Sequence, residues 1–248
     1  MKTFIIAITH NKDSMRSARQ AIDSAKHVGY KSPIDIFPAV TPETGWKHIL
    51  PFENTFDDYP KPENVGACFA SHYLLWERCI RLNEPILILE HDAIFREDIP
   101  NVDFDMCINF GRPSYIRPKY MVYEEPKDGV QPLVQKNFLG HHAYAIKPEA
   151  AKIFVEDCKH RTLSPNDLWM DRDIYPWLQE YRPFPVHADT DFSTVQGVVT
   201  HETPVKEEYV YDVVPGSFQH KYLMEYYSHC LLERQSNRFI DADDRDNG

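Results

Sequence analysis

Taken as a pattern of apolar and polar positions, the chain opens on a buried strand. Residues 4–9 read Phe-Ile-Ile-Ala-Ile-Thr, a short continuous apolar run of the kind covered on both faces in a parallel sheet. A helix follows, with Asp13 or Ser14 as its expected cap. Met15, Ala18, Ala21, Ile22, Ala25 and Val28 recur at helical spacing, and Gly29 closes the segment. Residues 34–40 predict a second strand. A strand–helix–strand start predicts a parallel α/β sheet, in which ligands gather at the carboxyl ends of the strands. Thr9, His10, Asn11 and Arg16 stand at that end of the first strand. They read equally as nucleotide contacts or as a turn and a solvated helix start.

Residues 41–63, rich in proline, acidic and aromatic residues, predict a long surface loop. Asn64 is the expected cap of the next helix, whose buried side draws on Val65, Phe69, Leu74, Trp76 and Ile80. Ser71 and His72 lie mid-helix, where a hydrogen-bonded packing histidine is the plainer reading. A nearly all-apolar strand, residues 85–89, then ends in Glu90, His91 and Asp92. In an extended chain Glu90 and Asp92 share a face and His91 takes the other. Two carboxylates at the end of a buried strand are costly unless paired. A hard divalent cation such as Mg²⁺ or Mn²⁺ would offset that cost.

Further along, residues 106–110 predict a strand and residues 111–136 an irregular stretch carrying Arg112, Arg117, Lys119 and Lys127. These are candidate grips for an anionic ligand, against a default of solvated loop charges. Pro148 suits the first turn of a helix after an apolar segment at residues 138–146. His141 and His142 should face opposite ways in a strand, so both are not expected as metal ligands. Ser164 and Pro165 open another helix, with Asp167 and Asp171 four apart on one face and Asp173 off it. Residues 184–187 predict an edge strand and residues 222–232 a late helix, followed by an acidic tail.

Composition narrows the field. With 42% hydrophobic and 26% charged residues, the chain of 248 residues is an ordinary globular one. A net charge of −11 argues against broad adhesion to nucleic acid or anionic membrane. Five cysteines without a C-x-x-C pair fit neither a disulfide framework nor a zinc motif, and suit a reducing cytosol. The opening apolar run is too short for a signal peptide and no segment reaches membrane-spanning length, so a cytoplasmic protein is expected. Dinucleotide, P-loop and nucleophile-elbow motifs are missing. A phosphate-bearing ligand would then be held by metal and cations rather than by a glycine-rich loop.

The order Gly66-Ala67-Cys68, Ser71-His72 and Trp76, followed by Leu87-Ile88-Leu89-Glu90-His91-Asp92, resembles glycosyltransferase family 25, the lipopolysaccharide-type and procollagen galactosyltransferases. Such chains carry a G-C-x-x-S-H helix and a strand ending in an acidic triplet; here His91 replaces the middle acid. The segment around Gly140, Ala143 and Tyr144 and a serine-containing stretch at residues 191–197 are also similar, so the likeness spans about residues 2–200.

The resemblance implies an α/β, GT-A-like fold, a mostly parallel twisted sheet flanked by helices, in residues 1–200. Residues 201–248 would be a C-terminal extension. It implies metal-dependent transfer of a sugar, by inversion, from a nucleotide-sugar donor (UDP-linked by family habit) to a glycan or other acceptor hydroxyl. A divalent metal, Mn²⁺ or Mg²⁺, would sit on Glu90 and Asp92, with His201 a further candidate ligand. Thr9, His10, Asn11, Arg16, Ser71 and Glu90 would contact the nucleotide, and Asp167, with Asp171 second, would be the base. Two other readings fit: glycosylation of hydroxymethylated bases in viral DNA, and a non-catalytic nucleotide-sugar or glycan binder of the same fold.

Overall fold

A computed structural model describes residues 1–50, 56, 59, 61–113 and 122–188. Arg117, Lys119, His201, the 191–197 segment, the expected 222–232 helix and the 201–248 extension lie outside the described residues.

The chain runs β1 (Lys2–Ala7), α1 (Lys12–His27), β2 (Ile34–Pro38), α2 (Pro62–Leu82), β3 (Ile86–Glu90), β4 (Ala93–Phe95), β5 (Cys107–Asn109), β6 (Gly129–Pro132), β7 (Ala143–Ile146), α3 (Pro148–Asp157), α4 (Asn166–Trp169), β8 (Leu178–Arg182) and β9 (Val186–Ala188). The main sheet has the order β2-β1-β3-β7-β5-β8-β6. β1, β2, β3, β5 and β8 point one way; β7 and β6 oppose them. The expected α/β class, a mostly parallel sheet with helices, is therefore what the chain adopts. β4 and β9 pair antiparallel in a separate ribbon, which is where the predicted edge strand goes.

Strand parity sorts the core into two layers. Phe4 and Ile6 of β1, Ile86 and Ile88 of β3, and Tyr144 and Ile146 of β7 join α2 and α3 on one face. Ile5, Ala7, Leu87, Leu89, Ala143 and Ala145 join the alanines of α1 on the other. Period-two alternation is what lets both faces be apolar in strands this short. Glu90, next in parity after Ile86 and Ile88, is thereby committed to the α2 face.

Several local expectations change. Asn11, not Asp13 or Ser14, caps α1, its side chain accepting from both of those backbone amides; an Asx residue there meets two of the amides a helix start leaves open. α2 starts at Pro62, with Lys61 in a left-handed turn before it, rather than at an Asn64 cap. Leu74 and Ile80 are only half-buried, while Val65, Phe69 and Trp76 are buried as expected. The 41–63 stretch is not all surface: Trp46 and Phe56 are core residues. Trp46 packs against Gly66, where a β-carbon would come 2.5 Å from the indole. The 111–136 stretch contains β6, paired with a β8 that the apolar pattern does not announce.

Candidate active site

Three side chains of α2 at helical spacing, Cys68, His72 and Trp76, form a line over the sheet. Residues four apart on a helix sit one above the other. Beneath them, parity presents Tyr144 from β7 and Glu90 from the end of β3. Trp76 Nε1 donates to the Tyr144 hydroxyl at 2.8 Å, and that hydroxyl lies 3.0 Å from His72 Nδ1. His72 Nε2 stands 3.4 Å from Glu90 Oε1. From the turn before β7, His141 brings Nδ1 to the same Glu90 oxygen at 3.1 Å. The His72 and His141 rings are 4.1 Å apart.

The electrostatics follow from this packing. Burial pushes the Glu90 carboxyl upward, but hydrogen bonds and charge from His141 and His72 outweigh it and hold the group well below the usual carboxylate range. Burial, with the neighbouring His141 adding to it, pushes His72 down to about 4, so it is neutral near pH 7. Cys68 is half-buried. Its thiol is held well above its ordinary range by burial and then by the charges of Glu90, Asp167 and Asp92. The three carboxylates whose charges act on this thiol come from β3, α4 and the turn after β3.

The expected pairing of Glu90 with Asp92 by strand alternation does not hold as stated, because the strand ends at Glu90 and His91 and Asp92 form a turn. Asp167 and Asp171 likewise do not share a helical face. α4 is four residues long, and Met170 leaves it with ψ 85°. Asp171 lies beyond, bridged to Asn137, 3.5 Å from Lys136, with its carboxylate accepting from the Asp173 amide. Asp167 lies in α4, its backbone carbonyl accepting from Phe138 N at 3.0 Å.

The remaining expected contacts divide. Thr9 and His10 are exposed at the end of β1. Asn11 spends its side chain on the α1 cap. Arg16 pairs with Asp13 on the surface at 2.9 Å. Ser71 is 1% exposed; its hydroxyl donates to Ala67 O and accepts from Val40 N. It ties the exit of β2 to α2 rather than facing a ligand. His142, buried and pushed by that burial to about 4, reaches Val186 O at 3.4 Å.

Sequence reasoning did not join Cys68, His141 and Tyr144 to Glu90. The usable signal was the 68/72/76 spacing set against the parity of 86/88/90.

Residues 1–170 match the family described as Glycosyltransferase family 25 (LPS biosynthesis protein). The chain belongs to glycosyltransferase family 25. It is therefore a glycosyltransferase, and the resemblance carried by the G-A-C-x-x-S-H helix and the acidic strand end holds. No curated protein matches this family 25 chain. Among solved structures, mouse xyloside xylosyltransferase 1 in its apo form is similar at 11% identity and a TM-score of 0.39, over 71% of this chain and 83% of that one. An active-site mutant of LgtC is similar at 9% identity and a TM-score of 0.44, over 89% and 100%. The inositol-1-phosphate CTP transferase from T. maritima is similar at 7% and 0.35, over 78% and 91%. These are loose likenesses of shape. Among the described residues no helix is long and apolar enough to cross a membrane.

A divalent cation, expected for such an enzyme, fits the residues present. Glu90 closes the buried strand β3 and Asp92 follows two residues on, so two carboxylates stand at the end of that strand as oxygen donors.

Proposed function

We propose that this family 25 enzyme transfers a sugar from a nucleotide-sugar donor, with UDP the expected nucleotide, to a glycan hydroxyl. Inversion is the expected outcome and the GT-A-like arrangement the expected frame, with residues 1–200 the catalytic unit and 201–248 an extension of it. The reading is supported by the family match over residues 1–170 and by Glu90 closing β3 with Asp92 in the turn that follows, at the edge where α/β sheets hold their ligands.

Asp92 would hold a divalent cation, Mn²⁺ or Mg²⁺, with Glu90 beside it; the cation supplies neutralisation of the charge on the departing diphosphate. Glu90 remains ionised and fixed by His141 and His72, so it adds negative field without competing for the acceptor's proton. Asp167 is the proposed base: its carboxylate takes the proton from the acceptor hydroxyl as that oxygen attacks the sugar carbon. A single displacement with one base inverts the anomeric centre and needs no covalent nucleophile. Asp171, tied to Lys136, is a weaker candidate for that task.

The test is turnover by the full chain of a panel of nucleotide-sugars with Mn²⁺ or Mg²⁺, read as nucleoside diphosphate released and sugar added by mass spectrometry. One donor turned over supports the proposal. Tight nucleotide binding without turnover of any donor would make the protein a binder.

A further inference from the structure

We propose that Cys68, His72 and Glu90 form a site for a zinc-type divalent ion. One ligand atom from each lies within 4.8 Å of the others. Cys68 and His72, four apart on α2, present Sγ and Nε2 from one helical face, and β3 presents the Glu90 carboxylate from below. Rigid elements therefore hold all three donors, as a preformed site requires.

His72 Nε2 is the atom that asks for a ligand. The side chain is fully buried, and Nε2 makes no hydrogen bond of acceptable geometry. If Nε2 carries the proton, that proton faces Glu90 Oε1 across a long 3.4 Å contact. If Nδ1 carries it, the Nε2 lone pair faces a carboxylate. Neither is comfortable in a buried place, and a cation bound between the two groups relieves both.

The chemistry of the donors selects the ion. A thiolate, an imidazole and a carboxylate suit a borderline-soft ion that accepts four ligands, whereas Mg²⁺ and Mn²⁺ prefer oxygen donors. The surroundings supply what ligating groups need. Tyr144, itself held by Trp76 Nε1, can accept a hydrogen bond from His72 Nδ1 and so leave Nε2 free for the ion. His141 Nδ1 steadies the Glu90 oxygen. Glu90 is 29% exposed and Cys68 half-buried, so neither residue is sealed from solvent. On binding, the Sγ–H bond breaks, an Sγ–metal bond forms and the proton passes to solvent.

The site stands on this geometry and not on the sugar-transfer reading. To test it, the full chain is stripped with a chelator and titrated with Co²⁺. The expected result is one equivalent bound, with the visible bands of four-coordinate cobalt and a near-ultraviolet thiolate-to-cobalt band, all displaced by Zn²⁺. Cys68→Ser should remove the thiolate band while circular dichroism shows a folded chain. Tyr144→Phe should weaken cobalt binding roughly 10–100-fold. Asp92→Ala should keep the band, so failure of sugar transfer in that variant leaves the metal site standing. A wild-type chain that binds no cobalt, or a thiolate band that survives Cys68→Ser, would overturn the proposal.

Discussion

Gly111 and Gly140 pass so close that a β-carbon on either would lie 2.0 Å from the other's carbonyl oxygen. Gly140 also sits at φ 87°, in the left-handed region that side chains avoid. This crossing sets the turn that delivers His141 to Glu90. Gly140→Ala must move backbone, since no flexible side-chain end can give way. It should cost at least about 3 kcal/mol and lower the melting temperature by roughly 6–12 °C. A melt within a degree or two of wild type would contradict the close approach.

Ser71 looks, in sequence, like part of a ligand-binding motif, yet its hydroxyl is fully used inside the protein. Ser71→Ala leaves the buried Val40 amide without its acceptor, at a cost of about 1–3 kcal/mol. Chemical denaturation should show that loss, while the dissociation constant for nucleotide stays within about twofold of wild type, roughly 0.4 kcal/mol. A large loss of nucleotide affinity with unchanged stability would restore the ligand-binding role.

Acid should unfold the chain through its buried histidines. Burial is the main reason that His72 and His142 are pushed from an ordinary 6.5 down to about 4. The unfolded chain therefore takes up these protons first. Their contribution is fully present above about pH 6.5 and is lost as pH falls towards about 4, on the order of 3 kcal/mol for each. Glu90, held below its ordinary value, acts in the same sense at the acid end of that window. Thermal melts between about pH 7 and about pH 4.5 should show a steep fall in stability. A flat profile would mean that these rings are solvated.

The first half of the fold could be read from the sequence because its strands are unbroken apolar runs. β3 falls within a residue of where the pattern places it and β1 two residues earlier, while α1 and α2 follow the helical spacing. β8 could not, since Leu-Gln-Glu-Tyr-Arg mixes polar and apolar residues; it works because Glu180 is buried against Arg182. β6 is a four-residue edge containing Gly129 and Pro132, which reads as loop. At the site, Glu90, Asp92 and Asp167 were legible as acids at strand and helix ends. The arrangement around Glu90 was not: His141 reaches it from 51 positions away, and only the sheet order makes them neighbours. Asp171 was misplaced because a helix expected to continue stops after Trp169.

Sugar transfer at the end of β3 is tested most directly by comparing donor turnover in the wild type, Asp92→Ala and Asp167→Asn. With the donor identified, Asp92→Ala should lose both donor hydrolysis and transfer by about 10³-fold or more, while Asp167→Asn should bind donor normally and lose transfer alone by about 10²–10⁴-fold. Full transfer by the Asp92→Ala chain would contradict the account.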